Sequence, residues 1–156
     1  MTSRDVLAYM RTQRLAVQSS VSADGKSQAA IVGFAVSDQF EIVFDTLQDT
    51  RKARNLRSNP AIALVIGGWT PGNERTVQFE GIADEPSGED LERLKRTYYD
   101  VYPDGVARAK WPGLTYIRVK PTWLRFSDYN QNPPVIIEFT AAELSVSHRG
   151  LDNDSQ

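Results

Sequence analysis

The chain has 156 residues, a length that suits one domain with a substantial core, and its 18 lysines and arginines nearly balance its 20 acidic residues. The resulting net charge of −2 does not favour broad attraction to nucleic acid or to a membrane surface. The absence of cysteine excludes disulfides, thiolate metal sites and cysteine nucleophiles. The single histidine, His148, excludes a histidine metal cluster within one chain.

The N-terminal segment carries charges at Arg4, Asp5 and Arg11 and contains no continuous apolar run. We therefore expect neither a signal peptide nor a membrane-spanning helix there. The resulting expectation is a cytoplasmic protein with no membrane partner and no nucleic-acid partner.

The first third of the chain predicts one helix followed by antiparallel strands. Val6, Leu7 and Met10 recur at helical spacing after Ser3, a residue that can cap a helix. Later residues alternate between apolar and polar types, as in half-buried strands, and Asp24-Gly25 favours a hairpin turn. The predicted elements are a helix at 3–12, strands at 14–22, 27–37 and 40–46, and a turn at 23–26.

The rest of the chain adds two helices and four strands. Thr50 can cap a helix that Asn59-Pro60 ends, because proline disfavours a helical residue before it. Ser87 and Asp90 approximate a capping box at the start of the longest helix, and Pro121 inside a long strand predicts an edge or a bulge. The predicted elements are helices at 50–58 and 87–102, strands at 61–68, 76–84, 114–128 and 134–139, loops at 70–74 and 103–113, and a short terminal turn at 140–143.

These elements amount to six or seven strands and three helices. The early strands are joined by hairpins, whereas parallel strands would need long crossover connections. The sequence therefore predicts a mainly β protein, an antiparallel barrel with helices packed outside it. Since no linker or repeat divides the chain, we expect one domain over residues 1–140 and a C-terminal tail over 141–156 that ends in the polar run LDNDSQ.

The segment after the third predicted strand carries the strongest chemical signal. Its helix is capped by Thr50 and begins with Arg51 and Lys52. A helix start presents unpaired N–H groups and favours an anion, so two cations there are unfavourable for the helix itself. Both side chains bind phosphate well. The segment therefore predicts an anion site, with a solvated basic face as the alternative, because Arg54 and Arg57 follow.

A longer pattern surrounds these cations. In chain order it consists of Phe44, Thr46, Thr50-Arg51-Lys52-Ala53, Asn59-Pro60, and Arg75-Thr76-Val77 with Gly81. This order resembles the pyridoxamine 5'-phosphate oxidase superfamily, which has aromatic-x-Thr, a short loop, Ser/Thr-Arg-Lys-Ala, Asn-Pro and then an Arg-x-Val-x-x-x-Gly strand. The similarity covers most of residues 5–128 and includes a closing strand at 114–128.

The resemblance implies a Greek-key-like split β-barrel of the FMN-binding type, in the form of a homodimer with two flavin mononucleotides (FMN) at the subunit interface. In such a site Arg51 and Lys52 hold the phosphate, with help from the Thr50 hydroxyl. Asp45 and Thr46 would lie along the ribityl chain or the ring. The other implied contacts are backbone groups of Ala29, Ala30, Ile31 and Val32 at the isoalloxazine, Thr76 where oxidases place a flavin-binding glutamine, and Gln78 on the same strand face as Thr76.

Two departures from the oxidase pattern bear on the reaction. Ala29 and Phe34 stand where true pyridoxamine phosphate oxidases carry an arginine and a lysine, and the late Arg-x-His-Asp-Arg motif is not evident. We therefore expect a small-molecule substrate other than pyridoxine phosphate. No catalytic acid or base stands out, which suits flavin chemistry, because the cofactor carries the electrons and the protein orients it.

Three functions remain open at this stage. The first is an FMN-dependent oxidoreductase, and the second is a reductase that uses a deazaflavin, whose long anionic tail could meet Arg54 and Arg57. The third is a non-catalytic flavin-binding or haem-binding protein, or a sensor. Tyr98, Tyr99 and Tyr102 of the longest helix are expected to pack that helix onto the barrel rather than to catalyse.

Overall fold

The structure, a computed structural model, describes the backbone of residues 1–149 and side chains as far as residue 146. The side chain of His148 and the predicted polar tail at 151–156 lie outside the described residues.

The described chain forms eight strands and five helices, and most of them lie where the sequence predicted them. No described helix is both long enough and apolar enough to cross a membrane; the longest of them has 14 residues. In chain order the elements are α1 (Ser3–Thr12), β1 (Leu15–Val21), β2 (Ser27–Gly33), β3 (Ala35–Val36), β4 (Ile42–Leu47), α2 (Arg51–Ser58), β5 (Ala61–Gly67), β6 (Arg75–Asp84), α3 (Gly88–Val101), α4 (Gly105–Arg108), β7 (Leu114–Asp128), β8 (Val135–Thr140) and α5 (Ala141–Arg149).

All eight strands belong to one antiparallel sheet. Seven of them follow the order β2-β1-β5-β6-β7-β4-β3, and β8 pairs with β7 outside this order. The long strand β7 organises the sheet, because its first half pairs with β4 and its second half pairs with β8 on the same side. The sheet curls around a single apolar interior. This arrangement confirms the predicted class, a mainly β antiparallel split barrel.

The barrel interior is filled by the inward-facing side chains of alternate strand positions, as the two-residue period of a strand requires. Phe44, Phe79 and Phe126 are fully buried there. Helix α1 contributes Met10 to this core, and α2 contributes Leu56. A second, smaller cluster lies between α3 and the outer face of β4, so α3 is fastened to the sheet independently of the main core.

Pro121 lies at an irregularity of β7, as predicted. The pairing of β6 with β7 shifts register between Glu80 and Gly81. On the other side of β7, pairing with β4 ends at Val119 and pairing with β8 begins at Trp123, so the missing N–H of proline falls in a gap. Only glycine fits opposite, because a Cβ at Gly81 would lie 2.5 Å from the carbonyl oxygen of Lys120.

Two predicted helix caps are wrong. Thr2, not Ser3, caps α1, in a reciprocal capping box with Asp5. Ser87 stands at the N-cap of α3 but makes no side-chain cap hydrogen bond. The expected partner, Asp90, instead binds arginine side chains of α3 and β7.

Three predicted boundaries also change. The strand predicted at 27–37 is interrupted at Phe34 and continues as the two-residue strand β3, which pairs with β4. The loop predicted at 103–113 contains the single turn α4, and the turn predicted at 140–143 is the start of α5. The side chain of Glu143 completes that start by accepting a hydrogen bond from the backbone N–H of Thr140.

Candidate functional site

The start of α2 is held in a fixed conformation by threonine hydroxyls. Thr50 is the N-cap, as predicted, and its oxygen accepts a hydrogen bond from the N–H of Ala53 at 3.4 Å. The same hydroxyl donates to the carbonyl of Leu47 at 2.9 Å, so Thr46, whose oxygen lies 3.1 Å away, must be the donor between the two threonines. The N–H groups of Arg51 and Lys52 precede the first helical hydrogen bond and point outward.

The two cations that begin α2 differ in exposure, and neither side chain has a described ion-pair or hydrogen-bond partner. Arg51 is exposed and Lys52 is half-buried. Among the side chains that the structure describes, neither cation forms an ion pair or a hydrogen bond, whereas most other described arginines pair with carboxylates. Unpaired cations at the positive end of a helix dipole form an electrostatic site for an anion.

The other two arginines of α2 are not equivalent. Arg57 forms an ion pair with Glu85 at 2.8 Å and donates to the carbonyl of Gln48 at 2.8 Å. Arg54 is exposed, and its side chain has no partner in the described part of the chain. The basic face that the sequence predicted along the helix therefore reduces to Arg51, Lys52 and Arg54.

One flank of α2 faces the hairpin of β1 and β2. The side-chain amide of Asn55 donates to Ser20 Oγ at 3.1 Å and to Gln28 Oε1 at 3.2 Å. Lys52 lies three residues before Asn55 and therefore on the same flank of the helix. This flank of α2 therefore faces the β1–β2 hairpin.

The segment Ala29–Val32 belongs to an edge strand. β2 lies at the end of the sheet order and pairs with β1 alone among the described strands, so half of its backbone groups face away from the sheet. Ala30 and Val32 point toward the interior, whereas Ala29 and Ile31 point outward, with Ile31 62% exposed. This edge can offer backbone donors and acceptors to a planar ligand.

Asp45 and Thr46 point to opposite faces of β4. Thr46 faces the interior beside Thr50, whereas Asp45 faces α3 and α4. The carboxylate of Asp45 accepts from Arg108 Nε at 2.9 Å and from the Tyr98 hydroxyl at 3.1 Å. The structure therefore does not bring the two side chains together, and the Asp45 carboxylate is already neutralised by an arginine.

A tyrosine cluster extends from Asp45 to the end of β2. Tyr98 stacks on Tyr102 with ring centroids 5.0 Å apart, and the Tyr99 and Tyr116 hydroxyls lie 2.6 Å apart. The Tyr102 ring lies against Gly33, where a Cβ would be 2.9 Å from the phenol oxygen. As predicted, the tyrosines of α3 pack this helix onto the barrel, and they also form a wall between β2 and β4.

The tyrosine wall predicts a loss of stability in alkali. Burial, and next the charge of Asp45, raise the pKa of Tyr98 above the usual tyrosine value, and burial also raises the pKa of Tyr116. A raised folded-state pKa means that the stabilising contribution is complete below the unfolded pKa of about 10 and is lost as pH rises above it. Between pH 9 and pH 11 each of these two tyrosines should lower the free energy of unfolding by on the order of 1 kcal/mol.

Urea unfolding at pH 9, 10 and 11 measures this loss. The Tyr98→Phe variant should lose less stability over the same range, because it has one proton fewer to release on unfolding. The comparison concerns the slope with pH and not the absolute stability, since the substitution also removes a hydrogen bond to Asp45. Parallel slopes for the two proteins would contradict the assignment.

Thr76 and Gln78 lie on β6, in a different part of the fold from the start of α2. Both point to the outer face of β6, where Gln78 is exposed and lies opposite Val65 of β5. β6 approaches α2 near Ala83, whose N–H donates to the carbonyl of Pro60 at the end of that helix. Gln78 is five residues from Ala83, or about 17 Å along the strand. Within one chain the structure therefore keeps this pair away from Arg51 and Lys52.

The sequence did not predict Asn55 and Arg108 as parts of the site, and it did not predict the contact of Tyr98 with Asp45. Asn55 had a usable signal, because it is a polar residue at helical spacing from Lys52. Tyr98 and Arg108 had none, since they are 53 and 63 residues from Asp45 in the chain. Their contact with β4 exists only because α3 and α4 fold back over its outer face.

The fold and the site together define a class of protein: a split β-barrel that presents two unpaired cations at the start of its second helix, beside an open sheet edge. A family model described as pyridoxamine 5'-phosphate oxidase matches residues 3–128. The chain belongs to the pyridoxamine 5'-phosphate oxidase family. A comparison with curated protein sequences found no match.

Solved structures share this fold at low sequence identity. A haem-binding protein of Mycobacterium smegmatis superposes with a TM-score of 0.76 and 14% identity over 90% of this chain and 59% of that protein, so the chain spans well under two thirds of its length. The haem storage protein HutZ of Vibrio cholerae superposes with a TM-score of 0.65 and 14% identity, over 78% of this chain and 91% of that protein. A pyridoxamine 5'-phosphate oxidase-related, FMN-binding protein of Nostoc punctiforme superposes with a TM-score of 0.64 and 11% identity, over 88% of this chain and 95% of that protein.

Proposed function

We propose that this protein binds FMN, with the phosphate at Arg51 and Lys52, and acts as an oxidoreductase on a small molecule other than pyridoxine phosphate. The observation that carries the proposal is the pair of partner-free cations at the capped start of α2. Family membership supports a flavin ligand, and the FMN-binding relative from Nostoc punctiforme shares the fold.

The residues present suit the two ends of such a ligand. The phosphate would accept two hydrogen bonds from the Arg51 guanidinium and further hydrogen bonds from the free N–H groups of the helix start. The Lys52 ammonium would add a second positive charge. The ring would lie along the edge of β2 at residues 29–32, with Thr46 near the ribityl chain and the Tyr98–Tyr102 wall behind it. Bound flavin would supply the redox chemistry, and these side chains would bind and orient it.

The charge pattern favours a reaction different from that of the oxidase. The places of the oxidase's second-strand arginine and lysine are filled here by Ala29 and the buried Phe34. Arg108 is the cation nearest to Asp45, but it is shared between the carboxylates of Asp45 and Asp104. A phosphorylated substrate therefore lacks an obvious second anion site beside the ring.

A homodimer would complete the site. Thr76 and Gln78 cannot reach the phosphate site of their own chain, and they lie on an outer sheet face that includes the exposed residues Ile31 and Val65. Val17 pairs with both of them across neighbouring strands, so these apolar side chains form a continuous row. A second copy packed on this face would cover the row and supply Thr76 and Gln78 to the flavin. Light scattering at micromolar concentration should report a dimer.

Two rival cofactors have specific support. Arg54, exposed one turn beyond Arg51, could meet the anionic tail of a deazaflavin, although Arg57 is occupied by Glu85. Haem is favoured by the names of two structural relatives, the haem-binding protein of Mycobacterium smegmatis and the haem storage protein of Vibrio cholerae. A non-catalytic carrier or sensor would bind a cofactor without turning it over.

A titration with three cofactors tests the proposal. Purified protein is mixed with FMN, a deazaflavin or haem, and the flavin fluorescence or the visible spectrum is recorded. FMN binding at micromolar concentration or tighter, with the other two weaker, is the expected result. The absence of FMN binding would overturn the proposal, and a sharp Soret band with haem alone would favour the haem carrier. Reduction of bound FMN by a pyridine nucleotide separates an enzyme from a carrier.

A further inference from the structure

The side chain of Asn55 connects three elements through one amide group. Its Nδ2 donates one hydrogen to Ser20 Oγ at 3.1 Å and the other to Gln28 Oε1 at 3.2 Å. Ser20 and Gln28 are cross-strand partners in the register of β1 and β2. Ser20 is fully buried, and the other two side chains are half-buried, so the three groups are largely shielded from competing water. Helix α2 is thereby fixed to the β1–β2 hairpin near its turn.

This connection lies between the two halves of the proposed FMN site. Lys52 precedes Asn55 by one turn on the same flank of α2, and Gln28 directly precedes the segment Ala29–Val32. The other polar side chain of α2 with long-range partners, Arg57, binds Gln48 and Glu85, which are not part of β2. Among the described residues, Asn55 is the side chain of α2 that hydrogen-bonds to the edge strand.

We propose that Asn55 is a positioning residue that sets the separation between the phosphate grip of α2 and the ring-binding edge of β2. The inference rests on the proposed FMN function. FMN would have to contact both parts at once, and a ligand that spans two elements gains affinity when their separation is fixed before it binds. A ligand that contacts one part alone gains nothing from the connection.

The test compares ligands that span the site with ligands that occupy half of it. Dissociation constants of FMN, riboflavin and inorganic phosphate are measured for the wild-type protein and for Asn55→Ala, with phosphate followed by competition against FMN. The variant should bind FMN on the order of tenfold more weakly, because the separation is no longer preset. Riboflavin and phosphate should change by less than about twofold, because each meets one element.

Two further variants separate positioning from general damage. Ser58→Ala is the matched control on the same helix, because among the described residues its hydroxyl bonds within α2, to the carbonyl of Arg54. It should leave all three affinities unchanged. Gln28→Ala should weaken FMN alone, and the double variant with Asn55→Ala should be weakened by less than the product of the two single effects, because both remove one shared hydrogen bond.

The outcomes are distinguishable. A wild-type protein that binds no FMN overturns the proposed function, and the role of Asn55 with it. Normal wild-type binding with an unchanged FMN affinity in Asn55→Ala overturns the role of Asn55 alone. Equal weakening of FMN, riboflavin and phosphate, accompanied by a lower melting temperature, would show that Asn55 acts only as a structural residue.

Discussion

Replacing both Arg51 and Lys52 with alanine is expected to weaken FMN binding by a factor on the order of 10² to 10⁴, because each charged hydrogen bond contributes about 1.5–3 kcal/mol. The variant should fold normally. Neither side chain has a partner among the described side chains of residues 1–146, and cations at the start of a helix are unfavourable for the helix itself. Fluorescence titration with FMN measures the loss, and thermal unfolding checks the fold.

Two controls make this expected result specific to the phosphate. Riboflavin, which lacks the phosphate, should bind the double variant and the wild-type protein about equally. Arg54→Ala removes an exposed cation of the same helix and should leave FMN affinity nearly unchanged, whereas it should weaken binding of a long-tailed deazaflavin. An unchanged FMN affinity in the double variant would move the phosphate away from α2.

Replacing Arg118 with alanine is expected to destabilise the fold by about 1.5–3 kcal/mol, because a largely buried guanidinium and its charged hydrogen bonds are lost while Glu41 keeps other partners. Arg118 of β7 donates to both oxygens of Asp84 at 2.8 and 2.7 Å and also contacts Glu41 at 3.4 Å and Asp90 at 3.2 Å. The side chains of Arg118 and Glu41 are only 10% and 7% exposed. Without Arg118, Glu41 still accepts hydrogen bonds from Arg93 of α3 at 2.8 Å and from the Ser37 hydroxyl at 3.0 Å.

Urea unfolding measures the effect, and Arg96→Ala provides the matched control. Arg96 lies on α3, the helix that also carries Arg93 and Asp90. It is exposed and forms no ion pair with described residues, so its loss should change the free energy of unfolding by less than about 0.5 kcal/mol. An Arg118→Ala variant within about 1 kcal/mol of the wild-type protein would show that the network is too hydrated to matter. FMN affinity should follow stability only weakly, because Arg118 bonds to Asp84, Glu41 and Asp90 and not to Arg51 or Lys52.

Much of the fold was predictable because its signals are local. The two-residue alternation of apolar side chains identified the main strands, and helical spacing identified α1, α2 and α3. The Thr50 cap was predicted correctly, because a helix start depends on its own first residues. The caps at Ser3 and Ser87 were predicted wrongly. Thr2 caps α1 in place of Ser3, and Asp90 binds Arg93 of its own helix and the distant Arg118 instead of closing a capping box with Ser87.

The pairing of charges was beyond sequence reasoning. Asp45 was expected beside a ribityl chain, and the structure places its carboxylate against Arg108 and Tyr98. Arg57 and Arg54 looked alike in the sequence, yet only Arg57 has a carboxylate partner among the described residues. Such differences depend on which elements meet across the barrel.

The sequence by itself determined the family, the strand and helix order, and the pair of cations at the start of α2, because each follows from residues that are close together in the chain. The tertiary structure alone decided that Arg51 and Lys52 have no partner in the described chain, that Asn55 fixes α2 to the edge of β2, and that Thr76 and Gln78 lie on another face. The physical reason is that hydrogen bonds and ion pairs act over a few ångströms, and the folding of β7 and α3 over β4 sets which distant groups come within that range.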